Sequence, residues 1–119
     1  RRKVAKTYQD VLANQPGIHF VDVPENSEPA YYQFAIILEN GIDVVTLRKR
    51  LKSEYRIDAK NIYKATHEEP IFRQFDKGDL AQTKRIMDHS LCLPMHPGVT
   101  MEDTTWIAET LVKELRKVI

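Results

Sequence analysis

The segment Ser90-Leu91-Cys92-Leu93-Pro94-Met95-His96-Pro97-Gly98-Val99-Thr100-Met101-Glu102-Asp103 constrains this chain more than any other stretch of it. A short apolar run, Leu91 to Leu93, stops at a proline, which has no backbone N–H with which to continue a ladder. Pro97-Gly98 is a turn signal. Thr100 then stands where the first N–H groups of a helix need an acceptor. Asp103 occupies the third helical position, where a capping box normally carries Glu or Gln. The pattern predicts a buried strand, a turn and a helix, in that order. Ile107, Leu111, Leu115 and Val118 supply the apolar stripe of that helix. Glu102 and Asp103 at its start, with Lys113, Arg116 and Lys117 at its end, suit the helix dipole.

The rest of the chain alternates between helical and strand periodicity. Arg1 to about Asn14 places Val4, Tyr8, Val11 and Leu12 at helical spacing, and Pro16-Gly17 closes the segment. Ile18 to Val23 alternates as a strand, and Pro24 to Pro29 is a polar loop. Tyr31 to Leu38 is the clearest strand. It is aromatic and β-branched, with both faces largely apolar, which predicts a central strand covered on two sides. After Asn40-Gly41 a second helix is expected over Asp43–Tyr55, with Val44, Leu47 and Leu51 inward. Ala59 to Tyr63 reads as a short strand. Asp79 to about His89 reads as a helix whose apolar members are Leu80, Ile86 and Met87. The expected fold class is α+β: one domain over residues 1–119, with a small, mainly antiparallel sheet and helices packed against it.

Composition removes several function classes. The formal charge of +1 over 119 residues creates no field to gather nucleic acid, and no strand face combines basic and aromatic residues. No apolar run approaches the roughly 18 residues of a membrane span, and no signal-peptide core is present. A single Cys92 excludes an internal disulfide and points to a reducing compartment, with the cytoplasm as the expected location. The chain starts at Arg1, without methionine and inside a helix, as an excised piece or cleavage product would.

No self-sufficient active site is legible. The scattered glycines make no phosphate-cradling loop. His89, Cys92 and His96 come nearest to metal-ligand spacing. They straddle an apolar run and Pro94 with no partner close by, so no metal site is expected there. Cys92 reads as a core thiol, and Trp106 as packing under the Pro94–Gly98 turn or at a domain contact. His67 stands out because it lies in an irregular segment between Tyr63 and Pro70, where binding groups concentrate. Taken alone, the residues favour a loop histidine bonded to nearby backbone, with ligand contact as the alternative.

Two groups resemble, in their order and spacing, the C-terminal part of the DegT/DnrJ/StrS-type sugar aminotransferases, which are pyridoxal-phosphate enzymes. They are Tyr63/His67/Pro70/Phe72 and Leu93-Pro94-x-His96-Pro97-Gly98-x-Thr100-x-Glu102-Asp103. The likeness extends over essentially the whole chain, through the opening helix with Tyr8 and Leu12, the Tyr31–Leu38 strand and the helix containing Leu47 and Leu51. Three places depart from the pattern, the first being the segment before His67, which lacks the proline often found in the family. Arg56 stands where the family often closes a helix with glycine, and Glu68-Glu69 is more acidic than usual.

The resemblance implies the small C-terminal domain of an aspartate-aminotransferase-type enzyme. Such an enzyme would move an amino group from glutamate or glutamine to a keto-sugar, which the resemblance implies is nucleotide-linked. In that family the Schiff-base lysine, the carboxylate facing the pyridine nitrogen and the phosphate loop belong to a large domain. The implied cofactor is therefore pyridoxal phosphate in the intact enzyme, with none expected for this chain alone and no catalysis by it alone. The implied partners are the missing large domain and, in the intact enzyme, a second copy in a homodimer. By the same resemblance His67 and Tyr63 become substrate-binding residues, while Met95 and His96 line the cleft. This reading also expects Ile71, Phe72 and Met95 to be partly uncovered. The alternative is a freestanding α+β module that binds a ligand or a protein and has no activity.

Overall fold

A computed structural model describes all residues, 1–119. Helix α1 spans Arg2–Leu12 and is followed by strands β1 (Ile18–Phe20) and β2 (Phe34–Leu38) and by helix α2 (Val44–Tyr55). Two 3₁₀ segments, Thr66–Glu68 and Pro70–Phe75, lead to α3 (Ala81–His89), β3 (Ser90–Leu93) and α4 (Met101–Leu115). The strands form one antiparallel sheet in the order β1-β2-β3. The α+β class is as the sequence predicts.

Register explains which residues share a face. Ile18 lies opposite Leu38, Phe20 and Leu91 both lie opposite Ile36, and Phe34 lies opposite Leu93. Directly opposed residues point to the same side of a sheet, so these side chains make one apolar face. Helices α1 and α4 pack against one another in the core that this face joins. Twenty buried hydrophobic residues form a single cluster there, from Val4 and Tyr8 through Ile36 and Leu51 to Leu111 and Leu115. Tyr8 is central to it. Its ring is fully buried and stacks on Phe34 at 5.1 Å between centroids, and its hydroxyl donates to the Pro94 carbonyl at 2.8 Å.

The local signals explain the helix ends. Asp43 caps α2 by accepting from the Thr46 N–H at 3.0 Å. In α4 the box is complete with aspartate in place of Glu or Gln: Thr100 Oγ1 accepts from Asp103 N–H, and Asp103 Oδ2 accepts from Thr100 N–H, both at 3.0 Å. Helix α2 ends in a left-handed cap, with Arg56 N–H donating to Lys52 O and Ile57 N–H to Leu51 O. That closure needs a left-handed residue, and Arg56 adopts it at φ 58°.

Some expectations need correction. Strand β2 begins at Phe34 rather than Tyr31, and Ala35 and Ile37 on its second face are only half-buried, so the strand is central but not equally covered on both sides. Strand β1 stops at Phe20, and Val21 and Val23 beyond it are exposed. Ala59–Tyr63 forms no strand. Only Lys60 bridges to Cys92, exchanging both backbone hydrogen bonds at 2.9 and 2.7 Å. Helix α3 buries none of its residues, leaving Leu80 and Ile86 exposed and Met87 half-buried. Helix α4 ends at Leu115, which puts Val118 in solvent.

Candidate functional site

The largest concavity is a cleft of about 820 Å3. One wall is the chain from Arg56 to Tyr63 and the other is the turn after β3 together with the first half of α4; Arg1 and Tyr32 contribute from the opening helix and the approach to β2. The Lys60–Cys92 bridge holds the first wall against β3. The Tyr8–Pro94 hydrogen bond fixes the second wall to α1. Both walls are therefore anchored in the core, as a binding surface on irregular chain requires.

Of the residues singled out from the sequence, Tyr63, Met95 and His96 come together here. Tyr63 is exposed, and its hydroxyl lies 3.1 Å from that of Tyr32. That hydrogen bond is the main reason the Tyr63 phenol is pushed above its ordinary pKa. A pair of phenols sharing one proton in their mutual bond leaves the other O–H free to donate outward. His96 Nδ1 accepts from the Gly98 N–H at 3.1 Å, so in the neutral ring Nε2 carries the proton. Met95 contradicts the expectation that it would be partly uncovered: it is 9% exposed and belongs to the core cluster. It shapes the cleft from beneath. Ile71 and Phe72 are open to solvent, as expected.

His67 lies elsewhere. It sits half-buried in the first 3₁₀ segment and faces a separate, shallow depression shared with Lys64, Glu68, Arg73 and Asp76. Its ring makes no hydrogen bond or ion pair within the chain. The structure thus splits the sequence group, placing Tyr63 in the cleft and His67 on charged surface beyond it.

Several cleft residues escaped the sequence reading. Arg1 opens the basic run Arg1-Arg2-Lys3, which by sequence is the pattern of a solvated helix end. In the fold its guanidinium donates to the carbonyls of Tyr31 and Tyr32 at 3.1 and 2.9 Å and lies 5.8 Å from the Tyr32 ring centroid. Tyr32 looked like part of a strand, but Tyr31 before it has φ 48°, a reversal that turns Tyr32 out into the cleft. Trp106 is 47% exposed and lines the cleft rather than packing beneath the turn. An indole on the open side of a capped helix is the one signal that could have marked it. Asp58 and Asp103 also line the cleft, but each is engaged. Asp58 pairs with Lys52 at 3.0 Å and Lys60 at 3.9 Å, and these contacts, with the Lys52 hydrogen bond foremost, hold its carboxyl below the usual range. Asp103 is lowered chiefly by its hydrogen bonds from Thr100.

Cys92 borders the cleft but is 5% exposed, and burial pushes its thiol up, away from the thiolate that reactivity needs. No group of three or more His, Cys, Asp or Glu side chains gathers to hold a metal. No helix is long and apolar enough to cross a membrane.

The model of the DegT/DnrJ/EryC1/StrS aminotransferase family matches residues 1–112. A comparison with curated proteins finds no match. Solved structures of similar fold include the aminotransferase PseC of Helicobacter pylori, involved in the biosynthesis of pseudoaminic acid, at 17% identity and a TM-score of 0.85. That similarity covers 98% of this chain and 32% of PseC. The aminotransferase TlmJ of Streptoalloteichus hindustanus is similar at 18% identity and a TM-score of 0.87, over 99% of this chain and 31% of that one. A DegT DnrJ EryC1 StrS aminotransferase of Brucella abortus is similar at 22% identity and a TM-score of 0.76, over 96% and 30% of the two chains. This chain therefore spans about a third of the length of the enzymes whose fold it shares.

Proposed function

This chain belongs to the DegT/DnrJ/EryC1/StrS aminotransferase family, and from that premise we propose that it is the substrate-facing C-terminal part of a pyridoxal-phosphate-dependent sugar aminotransferase. The enzyme moves an amino group from glutamate or glutamine to a nucleotide-linked keto-sugar, in the cytoplasm and as a homodimer. The observation that carries this reading is the extent of the family match, residues 1–112 of 119.

The groups in this chain do not fit the cofactor. Lys60 is the one lysine on the cleft wall, and its exposed ammonium is paired with Asp58. That is an ion pair in water, not an enclosed amine held against a carbonyl. The N–H groups at the start of α4, which otherwise suit a phosphate, are occupied in part by the Thr100–Asp103 box. The cofactor's chemistry, withdrawing electrons from the amino-bearing carbon, is assigned to the large domain of the intact enzyme, and this chain alone is inactive.

What these residues supply is recognition of the acceptor. Tyr63 offers a phenolic hydrogen bond, His96 an Nε2–H, and Met95 the apolar floor of the cleft. His67 contributes a ring without partners on the neighbouring surface, meeting the sugar or diphosphate portion. The test uses the intact enzyme with glutamate, glutamine and a panel of nucleotide-linked keto-sugars, following amino-sugar by mass spectrometry. Amino-sugar formation is expected. His67→Ala should raise the acceptor KM about 2- to 13-fold, the value of one neutral hydrogen bond, with the reaction of the amino donor nearly unchanged. If no acceptor in the panel is aminated, the function is wrong. If His67→Ala leaves the acceptor constant unmoved, His67 is a structural loop residue.

A further inference from the structure

Arg56 occupies the least suitable backbone position in the chain for an arginine. The closure of α2 requires a left-handed residue, where glycine carries no penalty and a side chain with a Cβ is strained. Nothing inside the chain compensates. The Arg56 guanidinium makes no ion pair and no side-chain hydrogen bond, and the residue is exposed on the wall of the cleft. Local strain at a residue whose side chain makes no hydrogen bond or ion pair, sitting on the largest concavity, points to a functional constraint.

The charges around it define what it can take. Among the other cleft cations, Lys60 faces Asp58, and Arg1 spends one guanidinium nitrogen on the carbonyls of Tyr31 and Tyr32. Both cleft carboxylates are engaged, Asp58 by two lysines and Asp103 by the helix start. Arg56 is left as the cation with its whole planar fork free, in the cleft that the Tyr32–Tyr63 phenol pair also lines with one proton to donate. A guanidinium fork of this kind matches two oxygens of one anionic group.

We propose that Arg56 is a specificity-determining residue of the cleft that binds the phosphate-bearing portion of the ligand, and that its side chain is retained there at the expense of fold stability. The proposal rests on the reading of this cleft as the acceptor side of the enzyme. The same fork also suits a carboxylate, such as that of an amino donor. The cleft lining carries three cations, Arg1, Arg56 and Lys60, against two carboxylates, Asp58 and Asp103, and this surplus of positive charge favours the more highly charged phosphate group.

The test titrates the 119-residue chain with inorganic pyrophosphate, and separately with glutarate, at constant ionic strength. Amide chemical shifts are followed in two-dimensional NMR. Pyrophosphate should produce saturable shifts at Arg56, Ile57, Lys60 and Tyr63, and glutarate should bind more weakly. Arg56→Gly should weaken pyrophosphate binding about three- to tenfold and at the same time raise Tm by roughly 2–8 °C through relief of the left-handed strain. Opposite signs in the two readouts separate loss of a ligand contact from damage to the fold. Arg85→Gln, which removes the same charge from α3 away from the cleft, should leave binding unchanged. The proposal is overturned by any of four results: no saturable binding, glutarate binding more tightly, Arg56→Gly binding as the wild type does, or Arg56→Gly failing to raise Tm. Should pyrophosphate fail here while the intact enzyme still forms amino-sugar, only the role of Arg56 falls.

Discussion

Replacing Tyr8 by phenylalanine isolates one bond that ties the core to the cleft. The ring has no exposed surface, stacks on Phe34, and keeps its place in the variant. Only the hydroxyl is lost, with its 2.8 Å hydrogen bond to the carbonyl of Pro94. Burial, with the Asp103 charge adding, pushes this phenol far above its ordinary pKa. The net value of such a bond is about 1 kcal/mol, and leaving the carbonyl unpaired adds up to about 1–3 kcal/mol if water cannot reach it. Pro94 is half-buried, so water restores part of that bond. The expected loss is about 1–2 kcal/mol. Urea denaturation followed by circular dichroism should show the midpoint falling by about 0.5–1 M with the slope unchanged. Amide shifts should move at Met95 and His96, where the turn loses its anchor to α1. A loss under about 0.5 kcal/mol, or shifts confined to α1, would refute the idea that this bond positions the cleft wall.

Three further outcomes follow from the same structure. Glu114 is fully buried between α2 and α4, bonded to Lys117 and Tyr55 and paired with Arg50, and its Lys117 hydrogen bond above all lowers its pKa. A carboxyl depressed in the folded state contributes stability above its unfolded pKa of about 4.3 and loses it as pH falls through the folded value. The wild type should therefore lose stability on acidification below about pH 4, and Glu114→Gln should be less stable at pH 7 with a flatter acid limb in pH-dependent thermal melts. Thr100→Ala removes the acceptor for Asp103 N–H and should cost about 0.5–2 kcal/mol by urea denaturation, with hydrogen exchange accelerated in the first turn of α4 only. Gly17→Ala should be more damaging than an ordinary turn substitution. The residue has φ 80°, and a Cβ would lie 2.9 Å from Ile119 Cδ1 and 3.1 Å from Ile42 Cδ1, so Tm should fall measurably.

Much of this fold was legible in the sequence because its signals are local. The cap at Thr100, the apolar spacing of Val44, Leu47 and Leu51 and the strand stopped at Pro94 each involve residues within a few positions of one another. Backbone hydrogen bonding and side-chain periodicity at that range follow from chain geometry alone. The family resemblance, rather than any local spacing, brought Tyr63 and His67 forward as substrate contacts and Met95 and His96 as cleft residues. Tertiary structure decided the rest. Arg1 reaches Tyr32 across 31 residues, and Tyr8 reaches Pro94 across 86. No local pattern announces such pairs, so Arg1, Tyr32 and Trp106 could not be placed in the cleft beforehand. Ala59–Tyr63 has the composition of a strand, yet only Lys60 meets β3, because the chain needs both its position against Cys92 and its departure toward Tyr63. His67 and Tyr63 are four residues apart in sequence and face different surfaces, because a 3₁₀ turn intervenes. The sequence by itself determined the four α-helices, the three strands in outline and the cap at Thr100. Which side chains share a cleft was decided only when distant segments were brought together around one core, since burial is a property of the assembled surface rather than of any stretch of chain.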